Sequence, residues 1–139
     1  MFEDVSSIIV KNSFFKNSSS SHGFEISDGS SSVTLDNVFI HNSGYSGSSA
    51  YGLYVSSSSS ITIKNGTKVG NSKTYELYAN GASTFKVQNS TFIGSNLALI
   101  EDSDGFLIEK STFKDSSSGD YGVHIKNCLL YTSDAADDL

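Results

Sequence analysis

Three carboxylates fall within four residues at Glu101-Asp102-Ser103-Asp104, the densest group of hard oxygen ligands in the chain. Such a group could hold Ca²⁺, and two carboxylates a few ångströms apart could do acid–base work on a polysaccharide. The matching turn one repeat earlier supplies only Ala79-Asn80-Gly81, so a solvated acidic turn is the favoured reading and a Ca²⁺ site the alternative. Glu25, Asp28 and Glu76 are scattered without a Lys at matching positions. His22, His41 and His124 fall at different places in their repeats, which predicts single surface histidines rather than a shared metal. The runs Ser18–Ser21 and Ser56–Ser60 have no His–Asp pair organised around them and read as turn filler, not nucleophiles. No catalytic residue is assigned, and no cofactor is expected beyond the Ca²⁺ alternative.

Composition narrows the elements that must position these groups. The 139 residues suffice for at most one modest domain. The 30 Ser and 12 Gly would suggest a disordered segment, but 36 Leu, Ile, Val and Phe are enough to build a core. The net charge is −6 and every basic residue is Lys, which argues against a nucleic-acid partner. No apolar run is long enough to insert in a membrane. One Cys makes neither an internal disulfide nor an ordinary thiolate metal site.

Two apolar patterns alternate along the chain. One runs His22-Gly23-Phe24-Glu25-Ile26, Tyr51-Gly52-Leu53-Tyr54-Val55, Tyr75-Glu76-Leu77-Tyr78-Ala79, Leu97-Ala98-Leu99-Ile100-Glu101 and Tyr121-Gly122-Val123-His124-Ile125. The other begins Ile8-Ile9-Val10-Lys11-Asn12 and returns at Val33, Ile61, Phe85 and Phe106. Copies are 21 to 29 residues apart, and each alternates apolar with polar as a strand with one buried face does. The connections are Ser, Gly, Asn and Asp, without helical periodicity. Strands at this period without helices between them predict an all-β solenoid, one coil per repeat.

Within a coil, Asn12, Asn37, Asn65 and Asn89 follow the second strand, with Lys110 in the fifth copy. Asn tolerates the left-handed backbone that a sharp corner needs, and stacked Asn side chains can hydrogen-bond between coils at a buried corner. A second turn signal follows at Asn17, Asn42, Asn71, Gly94 and Asp115. Alternation turns Phe24, Leu53, Leu77, Leu99 and Val123 inward. It leaves Glu25, Tyr54, Tyr78, Ile100 and His124 outward in one row, flanked by Gly23, Gly52, Ala98 and Gly122. A shallow groove floored by Tyr54 and Tyr78, with Glu25 and His124 along it, could take sugar rings on its aromatic faces. The favoured reading is a solvent-facing ladder of like residues.

The turns Asn12-Ser13-Phe14-Phe15 and Asn89-Ser90-Thr91-Phe92, with the variant Lys110-Ser111-Thr112-Phe113, resemble those of right-handed parallel β-helix repeat proteins of the pectate-lyase-like superfamily. Phe14…Asn17 and Phe39…Asn42 are similar to the short repeats of polymorphic surface proteins and autotransporter passengers. The resemblance covers roughly residues 5–127 and implies a right-handed parallel β-helix of about five coils. The fold serves both enzymes and inert stalks, and the lyases' usual Arg has no counterpart in the outward row. The resemblance therefore implies a non-catalytic segment of an extracellular or cell-surface protein, with a polysaccharide or a host-surface ligand as partner. The alternative is a piece of a polysaccharide lyase, hydrolase or epimerase. Residues 1–127 are expected to be an uncapped fragment that continues into further coils of a longer chain. Residues 128–139 resemble a translated transposase-type sequencing adapter and are set aside as a non-native tail, the alternative being a natural polar tail.

Overall fold

The computed structural model describes residues 1–19, 21–43, 50–115 and 122–128. The first coil runs through β1 (Phe2–Glu3), β2 (Ser6–Lys11) and β3 (Phe14–Ser18), and the second through β4 (Phe24–Ser27), β5 (Ser31–Asp36) and β6 (Phe39–Ser43). The third comprises β7 (Leu53–Ser56), β8 (Thr62–Lys64) and β9 (Lys68–Gly70), and the fourth β10 (Leu77–Asn80), β11 (Lys86–Gln88) and β12 (Thr91–Ile93). The fifth comprises β13 (Ala98–Glu101), β14 (Leu107–Glu109) and β15 (Thr112–Lys114), and β16 (Val123–Lys126) opens another. The first strands of successive coils pair in parallel as one sheet, β1-β4-β7-β10-β13-β16. The second and third strands form two further parallel sheets of five. This is an all-β parallel solenoid.

Each sheet sends one column of apolar side chains inward because its strands are in register. Val10, Leu35, Ile63, Val87 and Ile108 are successive partners in the second sheet. Phe15, Ile40, Val69, Phe92 and Phe113 are partners in the third. In the second to fourth coils these residues are fully buried, and each such side chain contributes about 1.5–3 kcal/mol. Strand β1 went unseen in the sequence because two residues cannot show a period; its pairing of Phe2 with Ile26 identifies it.

Four rows of left-handed residues bend the coils, with one member missing in the fourth coil. Asn12, Asn37, Asn65, Asn89 and Lys110 have φ between 46° and 55°, as their position after the second strand predicts. Asn17, Asn42, Asn71 and Asp115 form the second row; Gly94 keeps its register without a left-handed φ. Two rows carry no Asn signature in most coils: Asp4, Asp28, Ser57, Gly81, Asp102 and Asn127, then Ser7, Ser32, Ser60, Thr84 and Gly105. The Asn corner departs from expectation by being exposed. Asn37 Nδ2 donates to Asn12 Oδ1 at 2.8 Å, whereas Asn65 donates to Asp36 at 2.9 Å. At this corner the buried polar groups are the hydroxyls of Thr67 and Ser90 just after it. Ser90 Oγ donates to the Gln88 carbonyl at 2.9 Å, and Thr67 Oγ1 to the Lys64 carbonyl at 2.9 Å. Gly66, with φ of 84°, is the extra residue that moves Thr67 into the Ser position and delays Val69 by one.

One register differs from the alternation expected. Ala98 and Ile100 point inward, both fully buried, and Leu99 is the outward residue. The run Leu97-Ala98-Leu99-Ile100 is apolar at every position, so its own sequence carries no phase. Pairing of Ala98 with Leu77 and Ile100 with Ala79 sets the phase.

The left-handed corner gives a direct prediction. Asn37→Val puts a β-branched residue where an L side chain costs about 1–2 kcal/mol, whereas Asn37→Gly avoids that cost. Denaturation midpoints should separate the two variants by that amount. Equal midpoints would mean that φ at this corner does not matter to stability.

Candidate functional site

The outward row of the first sheet is Glu25, Tyr54, Tyr78, Leu99 and His124, each opposite the next. Tyr54 and Tyr78 stack with centroids 5.5 Å apart and planes 14° apart. A second column, three residues earlier in each coil, joins them. Tyr51 stacks on Tyr78 at 4.7 Å, His22 on Tyr54 at 4.4 Å, and Tyr75 lies 6.4 Å from Tyr51. The sequence reading missed this column. Its signal was the i, i−3 recurrence of His22, Tyr51 and Tyr75 just before the glycine or glutamate position. The Tyr51 amide donates to His22 Nδ1 at 3.2 Å, which leaves that nitrogen an acceptor and the ring neutral. Burial lowers the His22 pKa, with Glu25 opposing it.

Leu99 separates His124 from the aromatic stack, so Tyr54 and Tyr78 are brought together and His124 is not. Glu25 lies at the other end, where the Ser27 hydroxyl reaches it at 3.4 Å. The flanking residues do not open a groove. A Cβ on Gly23 would lie 2.1 Å from Ser43 Oγ, and one on Gly52 would lie 2.3 Å from Val69 Cγ1. These glycines let the first sheet press against the third, and Ala98 is fully buried. The aromatic face is therefore a flat strip.

Glu101 belongs to this strip rather than to an acidic cluster. Tyr78 Oη donates to Glu101 Oε2 at 3.1 Å, and Asn80 Nδ2 donates to the same phenol oxygen at 3.3 Å. Lys126 Nζ pairs with Glu101 Oε1 at 3.1 Å and lowers the Glu101 pKa. Burial first, then the Glu101 hydrogen bond, raises Tyr78 to about 12. Asp102 occupies an exposed left-handed corner, and Asp104 pairs through its backbone with Ser83. Among the described residues no three of His, Cys, Asp and Glu come together as metal ligands.

Residues 1–92 match a family described as the right handed beta helix region. The chain belongs to that family. Searches of the curated proteins and of the solved structures return no match. Chemically, the β-helix strip pairs a carboxylate held ionised with a phenol held neutral, and neither titrates near neutrality, where a general acid or base works best. The arrangement can stack flat ligands or brace neighbouring coils.

Tyr78→Phe should remove a phenol step near pH 12 from a spectrophotometric titration of the β-helix. A phenol whose folded pKa exceeds its unfolded value of 10.0 contributes stability below pH 10, lost as pH rises toward 12. The variant should accordingly show a flatter alkaline stability profile. An unchanged titration would mean that Tyr78 is not the perturbed group.

Proposed function

We propose that this β-helix is a non-catalytic segment of a secreted or cell-surface protein, a stalk of the adhesin or passenger kind. The observation supporting this reading is that outward polar side chains bond from coil to coil. Asn12 meets Asn37, Asn17 meets Asn42 and then Asn71, Gln88 meets Glu109, and Glu101 meets Lys126. Such ladders stiffen a rod. The proposed setting is a longer chain with more coils on the extracellular side and an anchoring segment, presenting its surface to a polysaccharide or host-surface ligand.

A polysaccharide-active lyase, hydrolase or epimerase is the second reading, favoured by the stacked tyrosines ending at Glu101 and Lys126. An aromatic face of this kind suits sugar rings. The protein incubated with a uronate polymer should leave its viscosity unchanged and create no unsaturated ends. A fall in viscosity that Tyr54→Ala and Tyr78→Ala abolish would replace the stalk with the enzyme.

A further inference from the structure

The outer face of the third sheet differs in charge from the rest of this acidic chain. The strands β3, β6, β9, β12 and β15 contain no Asp or Glu, although the sequence has 15 acids against nine Lys. One outward row is Lys16, His41, Gly70, Ile93 and Lys114, and the next includes Phe14, Phe39 and Lys68. With rungs ~4.8 Å apart, Lys16, Lys68 and Lys114 place a cation about every 10 Å along the axis.

Gly70 opens a hollow in this face. Its partners His41 and Ile93 carry side chains at the same register, and its φ is not in the left-handed region, so no turn demands a glycine there. An added Cβ would lie 3.3 Å from Ile93 O, tighter than ordinary contact, so close approach of the neighbouring backbone accounts for a glycine here and leaves the space above it open. The hollow measures about 260 Å³ between Phe39, His41, Lys68 and Ile93. Across His41 it meets a second hollow of about 350 Å³ bounded by Phe14 and Lys16. Phe14 is 58% exposed and stacks on Phe39 at 4.7 Å. Behind Gly94, Glu76 turns its carboxylate inward to Ser72 and does not neutralise the lysines.

The first hollow lies just below the ~300 Å³ at which small-molecule pockets begin, so it suits one side chain better than a whole small ligand. A hydroxyl-rich ring would leave polar groups unpaired against Phe39 and Ile93. Charge complementarity calls for acids on either side. We propose that this face docks an acidic peptide segment, with one leucine- or phenylalanine-sized side chain seated over Gly70 and flanking carboxylates on Lys16 and Lys68. The proposal goes beyond the stalk reading and does not depend on it.

The test titrates the whole chain with a short, fluorescently labelled peptide of Glu and Asp around a central Phe, read by anisotropy at low and high salt. Saturable, salt-weakened binding is expected, and it should weaken about tenfold or more when the central Phe becomes Ser. Gly70→Val, which fills the hollow, and Lys68→Glu should weaken it similarly, whereas Lys86→Glu on the second sheet should not. Circular dichroism checks that each variant folds, and Lys68→Glu, a surface change, carries the test if Gly70→Val does not. Absence of saturable binding would overturn the proposal. So would equal loss from Lys86→Glu, or preference for a uronate oligomer over the peptide.

Discussion

Phe92→Ala is expected to destabilise the protein by about 3–5 kcal/mol, a large share of the roughly 5–15 kcal/mol that holds a domain together. The ring is fully buried on the third sheet's inner column, between Val69 and Phe113, and stacks on Phe113 at 4.8 Å. A solenoid coil has one layer of core residues, and its neighbours are fixed a rung away by backbone hydrogen bonds. The cavity left by the ring therefore cannot close by local collapse, which places the cost toward the upper end of that range. The control is Phe14→Ala in the same sheet. Phe14 points outward and loses its stack on Phe39 and its contact with the Lys16 ammonium, so its change should cost about 1 kcal/mol. Urea denaturation midpoints at constant slope give both numbers. Equal losses would contradict the inward and outward assignment of the whole sheet.

That assignment was legible in the sequence wherever apolar and polar residues alternate. Val33-Thr34-Leu35 and Ile61-Thr62-Ile63 fix their own phase, and their apolar residues are fully buried. The Asn corners were legible because a left-handed φ has a chemical preference attached to it. Where the chemistry is degenerate, the sequence is silent. The corners at Ser57, Gly81 and Asp102 share a backbone conformation but no side-chain type, so the sequence showed an acidic turn at Asp102 without showing that it continues this row of corners. Leu97 to Ile100 is uniformly apolar, so only the partner strand decides which residues face in. Glu101 shows the same limit at the site. Its neighbours in sequence are acids, while its partners in space, Tyr78 and Lys126, lie 23 and 25 residues away. The hollow at Gly70 depends on what the adjoining coils place beside it, and one coil's sequence does not contain that.

Glu76 is the group that sequence reasoning misjudged most, and it carries the second large prediction. It read only as a scattered acid without a partnering Lys, and it is 1% exposed. It stands at the coil position held by Gly23 and Gly52, and its side chain runs over Gly94, where an added Cβ would lie 1.8 Å from Glu76 Oε1. Gly94 makes the room, which explains a glycine in the second turn row without a left-handed φ. The carboxylate accepts from the Ser72 amide at 3.1 Å and the Ser72 hydroxyl at 2.6 Å. Burial nonetheless raises its pKa, and the hydrogen bonds from Ser72 and Asn71 only partly oppose that. The folded state thus holds this proton more tightly than the unfolded chain, so stability falls as pH rises from the ordinary value of 4.5 through the raised one. Below that window Glu101 acts in the opposite sense, because Lys126 lowers its pKa and the benefit is lost as pH falls through the lowered value. On the neutral side His22 acts against Glu76, because burial lowers its pKa and its contribution grows as pH rises toward 6.5, so the Glu76 share is the difference between wild type and a variant without the carboxylate. Glu76→Gln should lose less stability than wild type as pH rises from 4.5, because no carboxylate remains to ionise. Glu76→Ala should cost about 1–3 kcal/mol near pH 4.5, since it leaves the Ser72 amide without its acceptor. Denaturation midpoints across a pH series test both variants, and a Glu76→Gln profile that runs parallel to wild type above pH 4.5 would place the Glu76 carboxylate in water rather than in the corner.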